Sequence, residues 1–324
     1  MNEATDRRQR ELAMLFAIPG EPLAWSPLGS GHINDTFVAT YSRNDETVKF
    51  VHQRINTDVF RDPVAVMDNI SRVLDHLAAK CAARDPVAGD MTSLKLVPAI
   101  DGRAFVVLDG DEYWRTYGYI DGAETIDAAP TPSQVHHAAA AFGRFQRMLA
   151  DLPGPRLRET IPGFHDTERR YADLLAAIDI DVAGRAEECR VEIEFAKSEA
   201  HLASALDTSA LPERITHNDS KLNNVMLDAS TDEAVCVIDL DTVMPGTVLY
   251  DFGDMVRSAT ITTAEDEPDA GTVSMDLAVF VALAEGYLGI TGDWLTEAEL
   301  AGLATSCEVI TYEIGIRFLT DFLE

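Results

Sequence analysis

Between positions 216 and 241 the chain reads Thr216-His217-Asn218-Asp219-Ser220-Lys221-Leu222-Asn223-Asn224 and, after a short polar gap, Val235-Cys236-Val237-Ile238-Asp239-Leu240-Asp241. This stretch constrains the fold more tightly than any other. Its first part is a polar loop with the order His-x-Asp-x-Lys-x-x-Asn, and its second is an apolar strand ending on a carboxylate. Asn and Asp cap backbone groups in ordinary turns, which accounts for Asn218, Asp219 and Asn223 without any chemistry. It does not account for His217, Lys221 and Asn224 in the same loop. Nor does it account for Asp239, because Asp is a poor strand residue and is costly at the end of a buried run unless it has a partner, for which a cation is a natural choice.

Phosphoryl transfer uses this set of groups. An Asp accepts the proton of the attacking hydroxyl, and an Asn and a second Asp hold Mg²⁺ against the nucleotide phosphates. Asp219 and Asn224 are five positions apart, the step between the corresponding Asp and Asn of the protein-kinase catalytic loop. Lys221, two places after Asp219, stands where a cation can meet the moving phosphoryl group.

Composition narrows the partners. The chain has 324 residues, enough for one large core or two lobes, and 46% are hydrophobic. With 26 basic against 55 acidic residues its net charge is -29, which repels nucleic-acid backbones and anionic membrane surfaces alike. Cys81, Cys189, Cys236 and Cys307 are far apart, with no Cys-x-x-Cys pair or Cys/His metal spacing, and read as reduced thiols. Met1 to Arg10 is polar and charged, with no signal-peptide apolar region after it, and no run is apolar for long enough to span a bilayer. A cytoplasmic enzyme is expected.

Periodicity suggests an α+β chain of two unequal parts. A short helix is expected over 6–18. A glycine turn, Leu28-Gly29-Ser30-Gly31-His32-Ile33-Asn34, leads into a strand to Thr40, which pairs as a hairpin with Val48–Ile55. Val66, Ile70, Val73, Leu74 and Leu77 have helical spacing within 63–83. Strands follow near 94–99 and 103–108, then Trp114–Ile120 up to a break at Asp121-Gly122. Helices are expected over 133–150, 167–178, 188–205, 275–289 and 297–322. The expected plan is the two-lobed protein-kinase-like fold: a small antiparallel-sheet lobe, 1–120, and a larger, mainly helical lobe, 121–324, with a nucleotide in the cleft between them.

On these residues the chain resembles the aminoglycoside phosphotransferase/choline kinase superfamily and, within it, the bacterial N-acetylhexosamine 1-kinases, over nearly its whole length. The carrying segments are Gly29–Asn34, Thr216–Asn224, Ile238-Asp239-Leu240-Asp241-Thr242-Val243-Met244-Pro245-Gly246, Asp251-Phe252-Gly253-Asp254 and Gly315-Ile316-Arg317-Phe318-Leu319. The resemblance implies transfer of the γ-phosphoryl group of ATP to the anomeric hydroxyl of N-acetylglucosamine or N-acetylgalactosamine, with Mg²⁺ as cofactor. It implies Asp219 as catalytic base and sugar contact, Lys221 as a neutralising cation, and Asn224 and Asp239 as Mg²⁺ ligands. His32 and Arg317 would line the sugar pocket, and Gly29, Ser30, Gly31, Gln53 and Tyr119 would bind the nucleotide. It also implies further helical turns after Glu324 that supply part of the sugar pocket.

Two features depart from the protein-kinase pattern. Asp251-Phe252-Gly253 looks like the metal-binding D-F-G motif but comes too long after Asn224, and Asp239 already ends the strand that should carry the metal. Asp251 reads instead as a helix cap that supports the catalytic loop. The strand that carries an ATP-contacting Lys in protein kinases reads Val51-His52-Gln53-Arg54 here. Gln53 is the closest equivalent, and Arg54 points to the opposite face by alternation. Another small-molecule kinase of the superfamily, acting on choline, homoserine, methylthioribose or an aminoglycoside, is the alternative. A pseudokinase-like binding protein is disfavoured because Asp219, Asn224 and Asp239 are all present. Pattern alone does not separate an oligomer interface from the core, so the sequence does not set the oligomeric state.

Overall fold

The computed structural model describes residues 3–28, 33–44, 46–126, 130–263, 267 and 270–324. The glycine-turn residues Gly29, Ser30, Gly31 and His32 lie outside the described residues. After helix α1 (Glu3–Leu15), the N-terminal part is a five-stranded antiparallel sheet: β1 (Glu21–Pro27), β2 (Asp35–Arg43), β3 (Glu46–Arg54), β4 (Val106–Leu108) and β5 (Glu112–Gly118), in the order β1-β2-β3-β5-β4. The expected hairpin is β2–β3, in register from Asp35↔Arg54 to Arg43↔Glu46.

Alternation along the strands gives the sheet two different faces. On the outer face, Ala39, Tyr41 and Trp114 pack with Leu12 of α1, with Phe16 just after it and with Trp25 of β1. His52 is fully buried on that side, stacked at 5.0 Å on Trp25 and bonded at 2.8 Å to both Tyr41 Oη and Thr116 Oγ1. Burial lowers its pKa to about 3, so it is neutral at physiological pH. The inner face carries Val51, Gln53, Arg115 and Tyr117, and Gln53 and Arg115 face each other across β3 and β5.

Helix α2 (Pro63–Ala82) opens on an Asp62 cap with Pro at its first position, as a helix start should. Its apolar stripe, Val66, Ile70, Val73, Leu74 and Leu77, shares one core with Val51 and Tyr117 of the sheet's inner face. It joins the largest core, made mostly by the later helices. Those are α3 (Pro132–Leu149), α4 (Thr167–Ile180), α5 (Arg190–Ser198), α6 (Val248–Ala259), α7 (Leu277–Thr291) and α8 (Glu297–Leu323). Helices α3 and α8 begin with reciprocal capping boxes, Thr131 with Gln134 and Thr296 with Glu299. Among the described residues no helix is long and apolar enough to cross a membrane.

Three expectations are corrected. Residues 94–99 form no strand; only single bridges, Leu96↔Tyr117 and Ala99↔Phe16, tie them down, because Pro98 lacks the donor a ladder needs. The helix expected over 188–205 ends at Ser198 and continues as a short tighter turn, Ala200–Ser204. Asp251 is not a cap: Thr247 caps α6, and Asp251 sits in the first turn.

Candidate active site

Two small sheets carry the site. β7 (Arg214–Thr216) pairs with β10 (Met244–Gly246), and β8 (Val225–Asp228) pairs with β9 (Ala234–Val237) and with β6 (Ala123–Glu124). The loop leaving β7 is Thr216–Asn224. Gly246 lies against it so closely that a Cβ there would stand 2.3 Å from Thr216 Oγ1 and 2.8 Å from Asn218 Oδ1. Only glycine fits at that point.

The loop is held from below by Asp251, which is fully buried. Its Oδ2 accepts from His217 N at 2.9 Å and from Gln146 Nε2 at 2.7 Å, and its Oδ1 accepts from Asn218 N at 2.7 Å. Ser220 Oγ donates to the Asp251 carbonyl at 2.7 Å. Asn218 itself takes a left-handed conformation, φ 64°, and donates through Nδ2 to the Thr242 carbonyl at 2.9 Å. The D-F-G string is thus a piece of a packed helix. A Cβ at Gly253 would meet the Ser306 carbonyl at 2.5 Å, so this glycine lets α6 lie directly on α8.

His217 is buried with its ring edge-on to Phe142, and its Nε2 donates to the Ile238 carbonyl at 2.9 Å. That bond ties the loop to the segment carrying Asp239. On the same line, Ile238 N donates to the Asn224 carbonyl at 2.9 Å. His165, which sequence reasoning did not single out, supports the loop from the other side. Its Nε2 meets the Asn218 carbonyl at 2.9 Å, and its Nδ1 meets Glu313 Oε1 of α8 at 2.8 Å.

Asp219 is partly open to solvent. Lys221 Nζ lies 3.1 Å from its Oδ1, and Asn224 Nδ2 donates to its carbonyl at 2.8 Å and to its Oδ2 at 3.3 Å. Burial alone would raise its pKa, but the positive charge of Lys221, with hydrogen bonds from Lys221 and Asn224, holds it below its ordinary value. Asp219 is therefore an ionised acceptor at neutral pH. Asp254, buried beneath it, is shifted the opposite way, mainly by burial and in part by the charge of Asp219, although Arg257 grips its Oδ1.

Asp239 follows β9 in a left-handed conformation, φ 57°. It is exposed to solvent, yet the protein around it perturbs its carboxylate. Burial, then the charges of Asp241 and Asp219, push its pKa up to about 6. Carboxylates crowded in this way favour a cation between them. Among the described residues no three His, Cys, Asp or Glu side chains form a metal cage. Mg²⁺ does not require one, since it is commonly held by one or two protein groups together with substrate phosphates. Asn224 uses its amide nitrogen toward Asp219, which leaves its oxygen for such an ion. Asn224 and Asp239 fit Mg²⁺.

The nucleotide side differs from the sequence expectation. Gln53 does face inward, but it grips a cation instead of replacing one. Its Oε1 accepts from Arg115 Nε at 2.9 Å and from Arg115 Nη2 at 2.6 Å, and its Nε2 donates to Thr36 Oγ1 at 2.9 Å. Arg115, 1% exposed, grips Asp241 with both terminal nitrogens, Nη2 at 2.8 Å from Oδ2. Asn34 Nδ2 reaches the same oxygen at 2.5 Å. Arg54 points away from the cleft, as expected, and pairs with Asp35 and Glu112. Tyr119 follows β5, with Lys49 Nζ 4.9 Å above its ring. Arg317 is apart from these groups: it lines a cavity of about 410 Å³ between α4 and α8, with Arg170, Asp173 and Thr320.

Comparison with known proteins places the chain in a family and a fold. A profile described as "Phosphotransferase enzyme family" matches residues 24–287. The fold is similar to that of a microcompartment-associated aminopropanol kinase, at a TM-score of 0.57 and 18% identity over 98% of this chain and 96% of that one. A spectinomycin phosphotransferase in complex with ADP and spectinomycin aligns at 0.60 and 12% identity, over 98% and 86% of the two chains. A choline kinase from Cryptosporidium parvum Iowa II aligns at 0.51 and 15%, over 93% and 82%. At these identities the likeness is one of fold.

Proposed function

The chain belongs to the phosphotransferase enzyme family, and from that premise we propose that it is an ATP-dependent small-molecule kinase whose acceptor is the anomeric hydroxyl of an N-acetylhexosamine. The observation that carries the kinase reading is the meeting of Asp219, Lys221, Asn224 and Asp239 in one cleft beside the inner face of the sheet. The choice of acceptor rests on the sequence segments around His32 and Arg317 that resemble N-acetylhexosamine 1-kinases. The boundary proposed between the two lobes, 1–120 and 121–324, falls just after β5.

In this reading Asp219, kept ionised by its neighbours, accepts the proton of the acceptor hydroxyl. Lys221 offsets charge on the transferring group. Asn224 and Asp239 hold Mg²⁺, which when bound neutralises the nucleotide phosphates. The reaction is positioning plus charge neutralisation, with no covalent enzyme intermediate. The fold is shared with enzymes named for aminopropanol and spectinomycin, so the test must include amine-bearing acceptors other than N-acetylhexosamines.

ADP formation from Mg²⁺-ATP would be followed with N-acetylglucosamine, N-acetylgalactosamine, glucosamine, choline, homoserine and kanamycin. Turnover confined to the N-acetylhexosamines is expected. Turnover with choline, homoserine or kanamycin alone would keep the family and the mechanism but overturn the acceptor and the sugar-binding roles of His32 and Arg317.

A further inference from the structure

Arg115 is a buried cation placed where two parts of the molecule meet. Every guanidinium nitrogen is engaged: Nε and Nη2 on Gln53 of β3, and Nη1 and Nη2 on Asp241, which lies two residues beyond Asp239. A fully buried arginine needs such partners. The choice of partner is informative. Asp241 belongs to the short turn Leu240–Thr242 that follows Asp239, so gripping it fixes the backbone that presents Asp239 to the cleft. Two further contacts from the N-terminal half act on the same turn: Asn34 on Asp241, and Asn69 Nδ2 on the Val243 carbonyl at 3.1 Å.

The left-handed backbone at Asp239 makes this support necessary. A non-glycine residue there is strained and persists only where its surroundings enforce it. The His217 bond to the Ile238 carbonyl holds the turn on one side of Asp239, and the Arg115 fork on Asp241 holds it on the other. Gln53, which the sequence reading matches to the ATP-contacting lysine of protein kinases, lies directly across the strand pair from Arg115.

Resting on the phosphotransferase reading, we propose that Arg115 is a positioning residue: through Asp241 it sets the orientation of Asp239, and it does so without touching the nucleotide itself. Gln53 is then a brace for Arg115 and not a phosphate contact.

The test is ADP binding by calorimetry with and without Mg²⁺, on the wild type, Arg115→Lys and Asp241→Asn, with thermal unfolding of each. Arg115→Lys keeps the charge but loses the fork, and Asp241→Asn removes the charge at the other end, so one informative variant remains if the other fails to fold. Groups that orient a metal ligand change affinity by about 10–100-fold when removed. The expected result is a loss of that size in the Mg²⁺-dependent part of ADP affinity, with Mg²⁺-free affinity within about twofold of wild type. If Mg²⁺-free affinity falls by the same factor, Arg115 contacts the phosphates directly and the proposal is wrong. If the melting temperature falls while the Mg²⁺ enhancement is unchanged, Arg115 is only a structural ion pair, and the proposal is again wrong. A wild type that binds no ADP would overturn the kinase reading itself, and this inference with it.

Discussion

Replacing Asp251 separates its supporting role from the metal role that the string Asp251-Phe252-Gly253 suggests. In Asp251→Ala three buried donors lose their acceptor: the backbone N–H of His217 and Asn218, and the Gln146 amide. Each orphaned buried donor costs about 1–3 kcal/mol, so after partial relaxation of the loop the loss should be about 3–5 kcal/mol. Asp251→Asn is milder. Its oxygen can stay where Oδ2 is and keep His217 and Gln146, which leaves its amide facing the Asn218 N–H, donor against donor. One unsatisfied contact of that kind costs about 1–3 kcal/mol. Urea unfolding followed by circular dichroism would measure both variants, and calorimetry would measure ADP affinity with and without Mg²⁺. The order of stability expected is wild type, Asn, Ala, with the Mg²⁺ enhancement of ADP binding retained in the folded Asn variant. If Asp251→Asn were as stable as wild type but lost the Mg²⁺ enhancement, Asp251 would be a metal ligand and this account of the loop would be wrong.

Other substitutions test the remaining roles. Asp219→Asn should keep ADP affinity while lowering turnover by about 10²–10⁴-fold, the usual contribution of a general base; near-normal turnover would remove Asp219 from that role. Asp239→Asn should abolish most of the Mg²⁺ enhancement of ADP binding without lowering stability, because it relieves repulsion with Asp241 and Asp219; unchanged Mg²⁺ dependence would refute the ligand assignment. His165 has a hydrogen-bond acceptor on each ring nitrogen, which favours the doubly protonated ring. Burial opposes that charge, but Glu313, the Asn218 carbonyl and Asp254 together outweigh it, and the pKa is raised. The stabilisation is therefore full below the unfolded value of about 6.5 and is lost as pH rises through the higher folded value. The stability gap between wild type and His165→Gln, from urea midpoints at pH 5.5 and pH 9, should narrow at the higher pH; a gap independent of pH would show that folding does not shift the ring's pKa, and a gap that widens would show that the buried ring is neutral.

Much of this was legible in the sequence, for reasons that lie in the chain itself. The loop and the strand end fall within a single short segment, so the grouping of His217, Asp219, Lys221, Asn224 and Asp239 was visible in local order alone. Helices with strong starts were equally plain, as at Asp62-Pro63 and Thr131-Pro132. What escaped was long-range or weakly patterned. Arg115 meets Asp241 across 126 positions, and His165 meets Glu313 across 148, so no spacing rule connects them. A signal for Arg115 did exist: a charged residue flanked by Tyr113-Trp114 and Thr116-Tyr117, in the middle of an aromatic-rich strand, needs a buried partner. Strand β1 was missed because Pro22 and Pro27 at its ends and its mostly exposed side chains give no alternating pattern.

The most direct measurement is phosphorus NMR of the product formed by the purified chain from Mg²⁺-ATP and N-acetylglucosamine or N-acetylgalactosamine. The account predicts a phosphate monoester whose phosphorus couples to the anomeric proton, which places the new bond at the acceptor's anomeric oxygen. A phosphate on any other sugar hydroxyl, or only inorganic phosphate with the sugar untouched, would contradict it.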